Sequence, residues 1–324
     1  MPISRERYAK HVEEWSQKAG KKYWPQFLFH YADATAAAKA LRDRTLLCRA
    51  SQAELVCDVA EPGALATNPQ ALRYVRLHFR PLNHFNLSTE GIKFRDDPYR
   101  RERHMSIPVA LLLDAGEVLT KEGVGFSGRK LAHIGQEAFF DEEGFDSINF
   151  EDVYHNSAPG NRVREINDRR TAEVVVPERL DLSHCIKYIF CRTIYDERTL
   201  RFLIGTEQNQ LASKIRAAPT PTEFFFCWGT FIQLLDFSGD RLRIKLFQGR
   251  NYKAGKTVRC QIWQYSAGNP TLTADFEEAV NNQGVAVGPF HRDPHSIWKI
   301  KIEDVLAFHG VLPHQKSELI APSN

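Results

Sequence analysis

Two kinds of hydrophobic pattern succeed one another along the chain, and the change falls near residue 217. In the first part, helical and strand-like periods alternate. Residues 4–20 space their apolar positions like a short, charged amphipathic helix. "QFLFHYAD" (26–33) predicts a strand, the alanine-rich "ATAAAKALRDR" (34–44) a helix, and "TLLCRAS" a second short strand. "YVRLHF" (74–79) alternates apolar and polar positions until Pro81 ends it. "IPVALLLDA" (107–115) predicts a buried strand, "GEVLTKEGVGFSGRKLA" is rich in turn residues, and "INFEDVYH" (148–155) predicts an edge element. "CIKYIFC" predicts another strand. "DERTLRFLIGTEQNQLASKIRAA" (196–218) predicts one helix with Asp196 as its N-cap.

"AAPTPTEF" (217–224) has the prolines and the shift in composition of a linker. Beyond it, "FFFCWGTFIQLLDF", "RLRIKLFQG", "TVRCQIWQY" and "SIWKIKIEDVLAFHG" predict strands separated by Gly, Asn, Asp and Pro. The expected fold class is α+β. An N-terminal helical extension occupies 1–25, an α+β domain 26–216 and a β-rich, sandwich-like domain 217–324.

One position breaks the pattern. In "RRTAEVVVP" (169–177), Glu173 heads an apolar strand, where propensity disfavours it and an ionised carboxylate is seldom buried without a partner.

Composition narrows the function classes. With 324 residues, 43% hydrophobic and 26% charged, the chain has the make-up of an ordinary globular protein. A net charge of +3 does not by itself demand a nucleic-acid partner. The polar start, "MPISRERYAKHVEEWSQKAGKKYW", is unlike a signal peptide, and no run of 18 apolar residues predicts a membrane span. The six cysteines are scattered with no CxxC pair, as expected of reduced thiols in a cytoplasmic protein.

Several chemical signals are absent or weak. No G-x-G-x-x-G follows a strand and no G-x-x-x-x-G-K-[ST] occurs, which argues against a Rossmann cofactor site or a P-loop. "FSGR" is not a nucleophile elbow. His291 and His295 in "HRDPH" have no third ligand nearby, so no metal is expected. The cluster "RDDPYRRERH", with Arg95, Arg100, Arg101 and Arg103, suits a solvated loop or, alternatively, a phosphate track.

Several segments, in order, resemble the DarT family of NAD-dependent DNA ADP-ribosyltransferase toxins. They are "FLFHYADATAAAKALRDRTLLCRAS", "YVRLHFRPLNHFNLSTEGIKF", "IPVALLLDAGEVLTKEGVGFS", and the long block from "VYHNSAPGNRVREINDRR" through "TAEVVVPERLDLSHCIKYIFC" to "RTIYDERTLRFLI". The resemblance covers residues 26–215 well and is nearest to the guanine-modifying branch, whose members also carry a β-rich C-terminal segment.

It implies an ADP-ribosyltransferase-like split antiparallel sheet and transfer of ADP-ribose from NAD to a base of single-stranded DNA, or RNA. It also implies an antitoxin that reverses the modification. A protein acceptor and an inactive nucleic-acid-binding module are the alternatives.

The resemblance also assigns roles. Glu173 matches the family's catalytic acid. A carboxylate there suits the oxocarbenium-like ribose formed when the nicotinamide bond breaks. His30 matches the NAD-contacting His; Tyr31 beside it either stacks on the nicotinamide or fills core space, and Ala32 completes the strand. Arg49 matches an Arg suited to the pyrophosphate. Arg80 lies in the loop of the family's catalytic Arg, whose position two residues later holds Leu82. Either Arg80 serves or another group does, such as His84, a general base near neutral pH. His84, Phe85, Asn86 and Arg170 would face the acceptor.

The chain departs from the family's pattern at Ala32, Ala36, "SGRK" (127–130) and "NHFNL" (83–87). These changes remove polar groups around NAD and alter the substrate loop.

Overall fold

The computed structural model describes residues 2–52, 68–83, 88–95, 97, 105–133, 135–205, 210–249, 256–266, 269–279, 284–290 and 295–312. The strands of the first part are β1 (Phe27–Asp33), β2 (Thr45–Leu47), β3 (Tyr74–His78), β4 (Pro108–Asp114), β5 (Gly125–Ser127), β6 (Glu173–Pro177), β7 (Arg179–Asp181), β8 (Ile186–Cys191) and β9 (Ile215–Ala217). Seven of them form one sheet in the order β5-β6-β3-β1-β4-β8-β9. Its pairings are antiparallel except β8 with β9. β2 and β7 form a separate pair.

The helices are α1 (Arg5–Lys18), α2 (Ala34–Arg42), α3 (Ala115–Leu119), α4 (Glu142–Asp146), α5 (Phe150–Val153), α6 (Val163–Arg169) and α7 (Ile194–Ile204). α2 starts where Asp33 turns out of β1 and accepts the N–H of Thr35 at 3.1 Å. Its buried residues, Ala34, Ala37, Ala38 and Leu41, recur at helical spacing and lie in the main core with Leu28, Val109, Leu111 and Leu77.

The centre of the sheet is split. β1 and β4 pair over seven residues, whereas β1 meets β3 at a single register pair, Phe29 with His78. Beside that point the His30 imidazole takes over: Nδ1–H donates to the Arg76 carbonyl at 3.0 Å. A side chain thus replaces a main-chain rung, and the two halves of the sheet diverge.

The second part contains β10 (Phe231–Ser238), β11 (Arg241–Phe247), β12 (Thr257–Ser266), β13 (Asn269–Ala279), β14 (Val285–Val287), β15 (Ile297–Ile302) and β16 (Val305–Val311). They make a three-stranded sheet, β10-β11-β14, and a four-stranded sheet, β13-β12-β15-β16. Leu235, Leu242 and Ile244 of the first share a core with Cys260, Ile262, Ile300, Ile302 and Phe308 of the second. The expected β-rich, sandwich-like tail fits this arrangement.

Three local expectations are corrected. The helix expected over 196–218 ends at Ile204, because Gly205 adopts φ 76° and closes it. Asp196 is not its cap; Thr193 caps it, accepting the N–H of Asp196 at 3.1 Å, while the Asp196 carboxylate turns inward to Arg192. "INFEDVYH" is not an edge strand: Asn149 caps the one-turn α5 by accepting the N–H of Asp152 at 3.2 Å.

α1 is held by aromatic packing. Buried His11 meets Phe145 and Phe150 edge-on and lies 3.0 Å from the Tyr154 hydroxyl. Burial, with Arg7 adding to it, pushes its pKa down to about 3. The unfolded chain therefore binds a proton between about pH 6.5 and 3 that the folded chain does not, and stability falls as pH drops through that window. The melting temperature is expected to fall between pH 7 and pH 5, and less steeply in His11→Gln. An unchanged slope in that variant would remove His11 from the account.

Candidate active site

Glu173 opens β6 and is 2% exposed. Its register explains its company. On one side it pairs with His78 of β3, on the other with Ser127 of β5. Directly opposed residues share a sheet face, so Glu173, His78 and Ser127 form a row across three strands, with Arg76 two places along β3.

The carboxylate is held at both oxygens. Oε2 accepts the N–H of Leu131 at 2.8 Å, and Oε1 lies 3.7 Å from Nη1 of Arg76. The Leu131 amide follows the turn "SGRK" (127–130). Lys130 N–H donates in turn to the Thr171 hydroxyl, which fixes this turn against the approach to β6.

Around the acid stand buried polar atoms without hydrogen-bond partners. The Ser127 hydroxyl and His78 Nδ1 are buried and make no hydrogen bond. Burial, reinforced by the charge of Arg76, holds the His78 pKa down to about 3, so its ring is neutral at physiological pH. His30 is half-buried, and burial lowers its pKa as well. Because Nδ1 donates to a carbonyl, its Nε2 is left as an acceptor. One locus therefore brings together a buried carboxylate, a cation, two neutral imidazoles and a hydroxyl.

The other residues singled out from the sequence have attachments of their own. The Tyr31 hydroxyl donates to the Phe224 carbonyl at 2.9 Å and its ring meets Phe225 edge-on; burial raises its pKa. Ala32 pairs with Val109, and Ala36 lies half-buried on α2. Arg49 is half-buried in the 3-10 turn after β2.

Arg80 is 3% exposed, its guanidinium 4.6 Å from the centre of the Trp24 ring. It donates to the carbonyls of Pro81 at 3.0 Å and Val153 at 3.4 Å, and to that of His155. Arg170 donates to the same His155 carbonyl at 3.1 Å and to that of Ser157 at 2.9 Å. Burial lowers the pKa of both arginines, and at Arg80 the nearby charge of Arg170 adds to the lowering. Leu82 adopts φ 58°, a strained value for a bulky residue. His84, Phe85, Asn86, Arg100, Arg101 and Arg103 lie outside the described residues.

Arg76, His78 and Ser127 were not singled out in the sequence. The alternation of "YVRLHF" already puts Tyr74, Arg76 and His78 on one face. Pairing that strand with "EVVVP" brings the face to Glu173, and only the register supplies the pairing.

A second buried cluster lies at the junction of the two parts. Arg192 is flanked by Glu90 at 3.6 Å and Asp196 at 3.2 Å, donates to the Ser106 carbonyl at 3.0 Å, and sits 4.0 Å from the Phe231 ring centre. Glu90 accepts the consecutive N–H groups of Phe226 at 2.8 Å and Cys227 at 3.0 Å. Cys227 adopts φ 53°, which turns the two amides towards one anion. Gly91, at φ 90°, faces Gly229 so closely that a Cβ on Gly91 would meet Gly229 Cα at 2.7 Å. That approach allows Ile92 N–H to reach the Thr230 carbonyl at 2.7 Å.

Among the described residues, no group of three or more His, Cys, Asp or Glu is placed to hold a metal ion, and no helix is long and apolar enough to cross a membrane. The described cysteines are free thiols.

Comparisons with known proteins follow this geometry. No curated protein matches the chain. Among solved structures, DarT of Thermus sp. 2.9 in complex with NAD+ is 14% identical, with a TM-score of 0.42 over 56% of this chain and 88% of that one. The same protein with ADP-ribosylated ssDNA gives 14% identity and a TM-score of 0.45 over 59% and 91%. DarTG of Thermosipho africanus with ADP-ribose gives 14% and 0.44 over 62% and 51%. The family model described as "ssDNA thymidine ADP-ribosyltransferase, DarT" matches residues 63–226, which include Glu173, Arg76, His78, Arg80 and Glu90. Half of the chain lies within that match, and the protein therefore belongs to the DarT family and is an ADP-ribosyltransferase.

Proposed function

We propose that the protein breaks the nicotinamide–ribose bond of NAD and joins C1′ of the ribose to a base of single-stranded DNA, with Glu173 as the catalytic acid residue. The observation that carries this reading is the Glu173 carboxylate, buried beside Arg76, His78 and Ser127 inside the family match. The bonding electrons leave with nicotinamide. A nitrogen of the base supplies the new bond and loses a proton.

The arrangement supports these roles. A fixed carboxylate stabilises the developing oxocarbenium cation and accepts hydrogen bonds from ribose hydroxyls. The unpartnered Ser127 hydroxyl and His78 Nδ1 suit a polar ligand, since buried polar atoms usually have partners. His30 would hold a ribose hydroxyl through Nε2, Tyr31 and Ala32 would line the NAD strand, and Arg49 would meet the pyrophosphate. Arg80 would be the second catalytic residue, acting in deprotonation of the base, with His84 the alternative general base. Phe85, Asn86 and Arg170 would position the acceptor.

The base we assign is guanine, on the resemblance to the guanine-modifying branch and its β-rich tail. Thymidine is the nucleoside in the description of the matched family model. By the same resemblance the protein acts in the cytoplasm as the toxin of a toxin–antitoxin or phage-defence pair, countered by an antitoxin that removes ADP-ribose.

The test is label transfer from NAD to single-stranded oligonucleotides that each contain one type of reactive base, with RNA and cell protein in parallel. Label on guanine-containing DNA is the expected result. Label on thymine-containing DNA alone keeps the enzyme and changes the base. Label confined to RNA or protein overturns the acceptor assignment.

His30 provides a separate check on NAD. Loss of one neutral hydrogen bond corresponds to about a 2- to 10-fold change in binding. His30→Ala is expected to raise the KM for NAD by about that factor, with a smaller change in kcat. An unaltered KM would place His30 in the framework alone.

A further inference from the structure

We propose that the outer face of the four-stranded sheet in the C-terminal part is a second binding surface for single-stranded DNA. The proposal rests on the acceptor reading above and extends it to a surface outside the family match.

The face is defined by alternation. Val258, Cys260 and Ile262 of β12 point into the core, so Arg259, Gln261, Trp263 and Tyr265 point out. Register aligns Trp263 with Lys299 on one side and Leu272 on the other. Lys299 pairs in turn with His309, and Gln261 with Lys301. The ammonium groups of Lys299 and Lys301 lie 5.9 and 5.6 Å from the centre of the Trp263 ring. Tyr265 lies 5.5 Å from the His309 ring, which continues to Phe202 of α7 at 4.3 Å. Leu272 and Val311, at the two edges, are 49% and 39% exposed.

Charge selects the partner. Asp275 lies in the same cross-strand row as Lys301, with Gln261 between them, and the carboxylates of this face are engaged by arginines. Asp275 accepts from Arg259 at 2.9 Å and Glu277 from Arg95 at 2.9 Å. Among the described residues, no carboxylate pairs with Lys299 or Lys301. Two cations flanking one aromatic ring repel each other and favour an anion between them. Half-exposed aromatic rings beside uncompensated lysines are what an unpaired strand needs, bases stacking on the rings and phosphates meeting the lysines. A duplex offers no free base faces to such a surface.

The experiment measures binding of a labelled 20-nucleotide single strand to the full-length protein, together with ADP-ribose transfer to a five-nucleotide acceptor. Trp263→Ala is expected to weaken binding of the 20-mer by about 5- to 150-fold, the range for loss of a base-stacking contact. Transfer to the short acceptor should stay unchanged. Lys299→Gln with Lys301→Gln should weaken binding and flatten its salt dependence, and this pair keeps the test open should Trp263→Ala fold poorly.

Wild-type affinity for the 20-mer in both variants overturns the proposal, as does equal weakening for duplex DNA or preferential binding of RNA. Transfer to the short acceptor tests the activity separately, because binding to this face requires no turnover.

Discussion

Glu173→Gln is expected to lower ADP-ribose transfer by about 10²–10³-fold or more, the scale for removing an electrostatic group aimed at transition-state charge. The substitution is nearly isosteric. The amide oxygen can still accept the N–H of Leu131, which the carboxylate accepts at 2.8 Å. Arg76 loses its counter-charge, but its side chain is 23% exposed and can be hydrated. The fold should therefore survive, with a melting temperature within a few degrees of wild type. The loss should fall on kcat with little change in the KM for NAD, because the charge that Glu173 stabilises exists only as the nicotinamide bond breaks. Single-turnover label transfer at saturating NAD measures it. Wild-type kcat in a folded Glu173→Gln protein would rule out the catalytic assignment.

The second large effect is on stability. Arg192→Met removes the cation between Glu90 and Asp196, both nearly inaccessible to solvent. Breaking a buried ion pair from one side costs about 3–5 kcal/mol, because the remaining charge is stranded. Here two carboxylates remain. Burial already raises the pKa of both, that of Asp196 to about 6, and Arg192 is the main group opposing the rise. The two should take up protons more readily in the variant, which then recovers part of its stability in mild acid. Chemical denaturation at pH 7 and pH 5 should show a large loss at the first and a smaller one at the second. A midpoint unchanged at pH 7 would mean that the cluster is energetically neutral.

Much of the strand layout was legible, because buried strands leave apolar runs and half-buried ones leave alternation. "QFLFHYAD", "YVRLHF" and "CIKYIFC" show both, and all three form strands. Glu173 stood out because a carboxylate heads an apolar strand. Its surroundings did not, since Arg76 and His78 become neighbours only through the pairing of β3 with β6. The Glu90–Arg192 contact joins residues far apart in sequence and leaves no local trace. A local signal misled where another local contact outweighed it: Asp196 resembles a cap, but Arg192, four residues earlier, claims its carboxylate and Thr193 takes over the capping.

The segment between the two parts has a consequence for modularity. Phe224 receives the Tyr31 hydroxyl, and the amides of Phe226 and Cys227 close on Glu90. These residues belong by sequence to a connector and by contact to the catalytic sheet. A tail exchanged between relatives would bring its own version of this segment and meet an unmatched Tyr31 and Glu90. A crossover moved beyond Thr230 would spare these bonds but would still cut the contacts of Phe231 with Arg192, of Leu306 with Ser106 and of His309 with Thr199. The two parts are therefore expected to change together in evolution, as one joined body rather than as exchangeable modules.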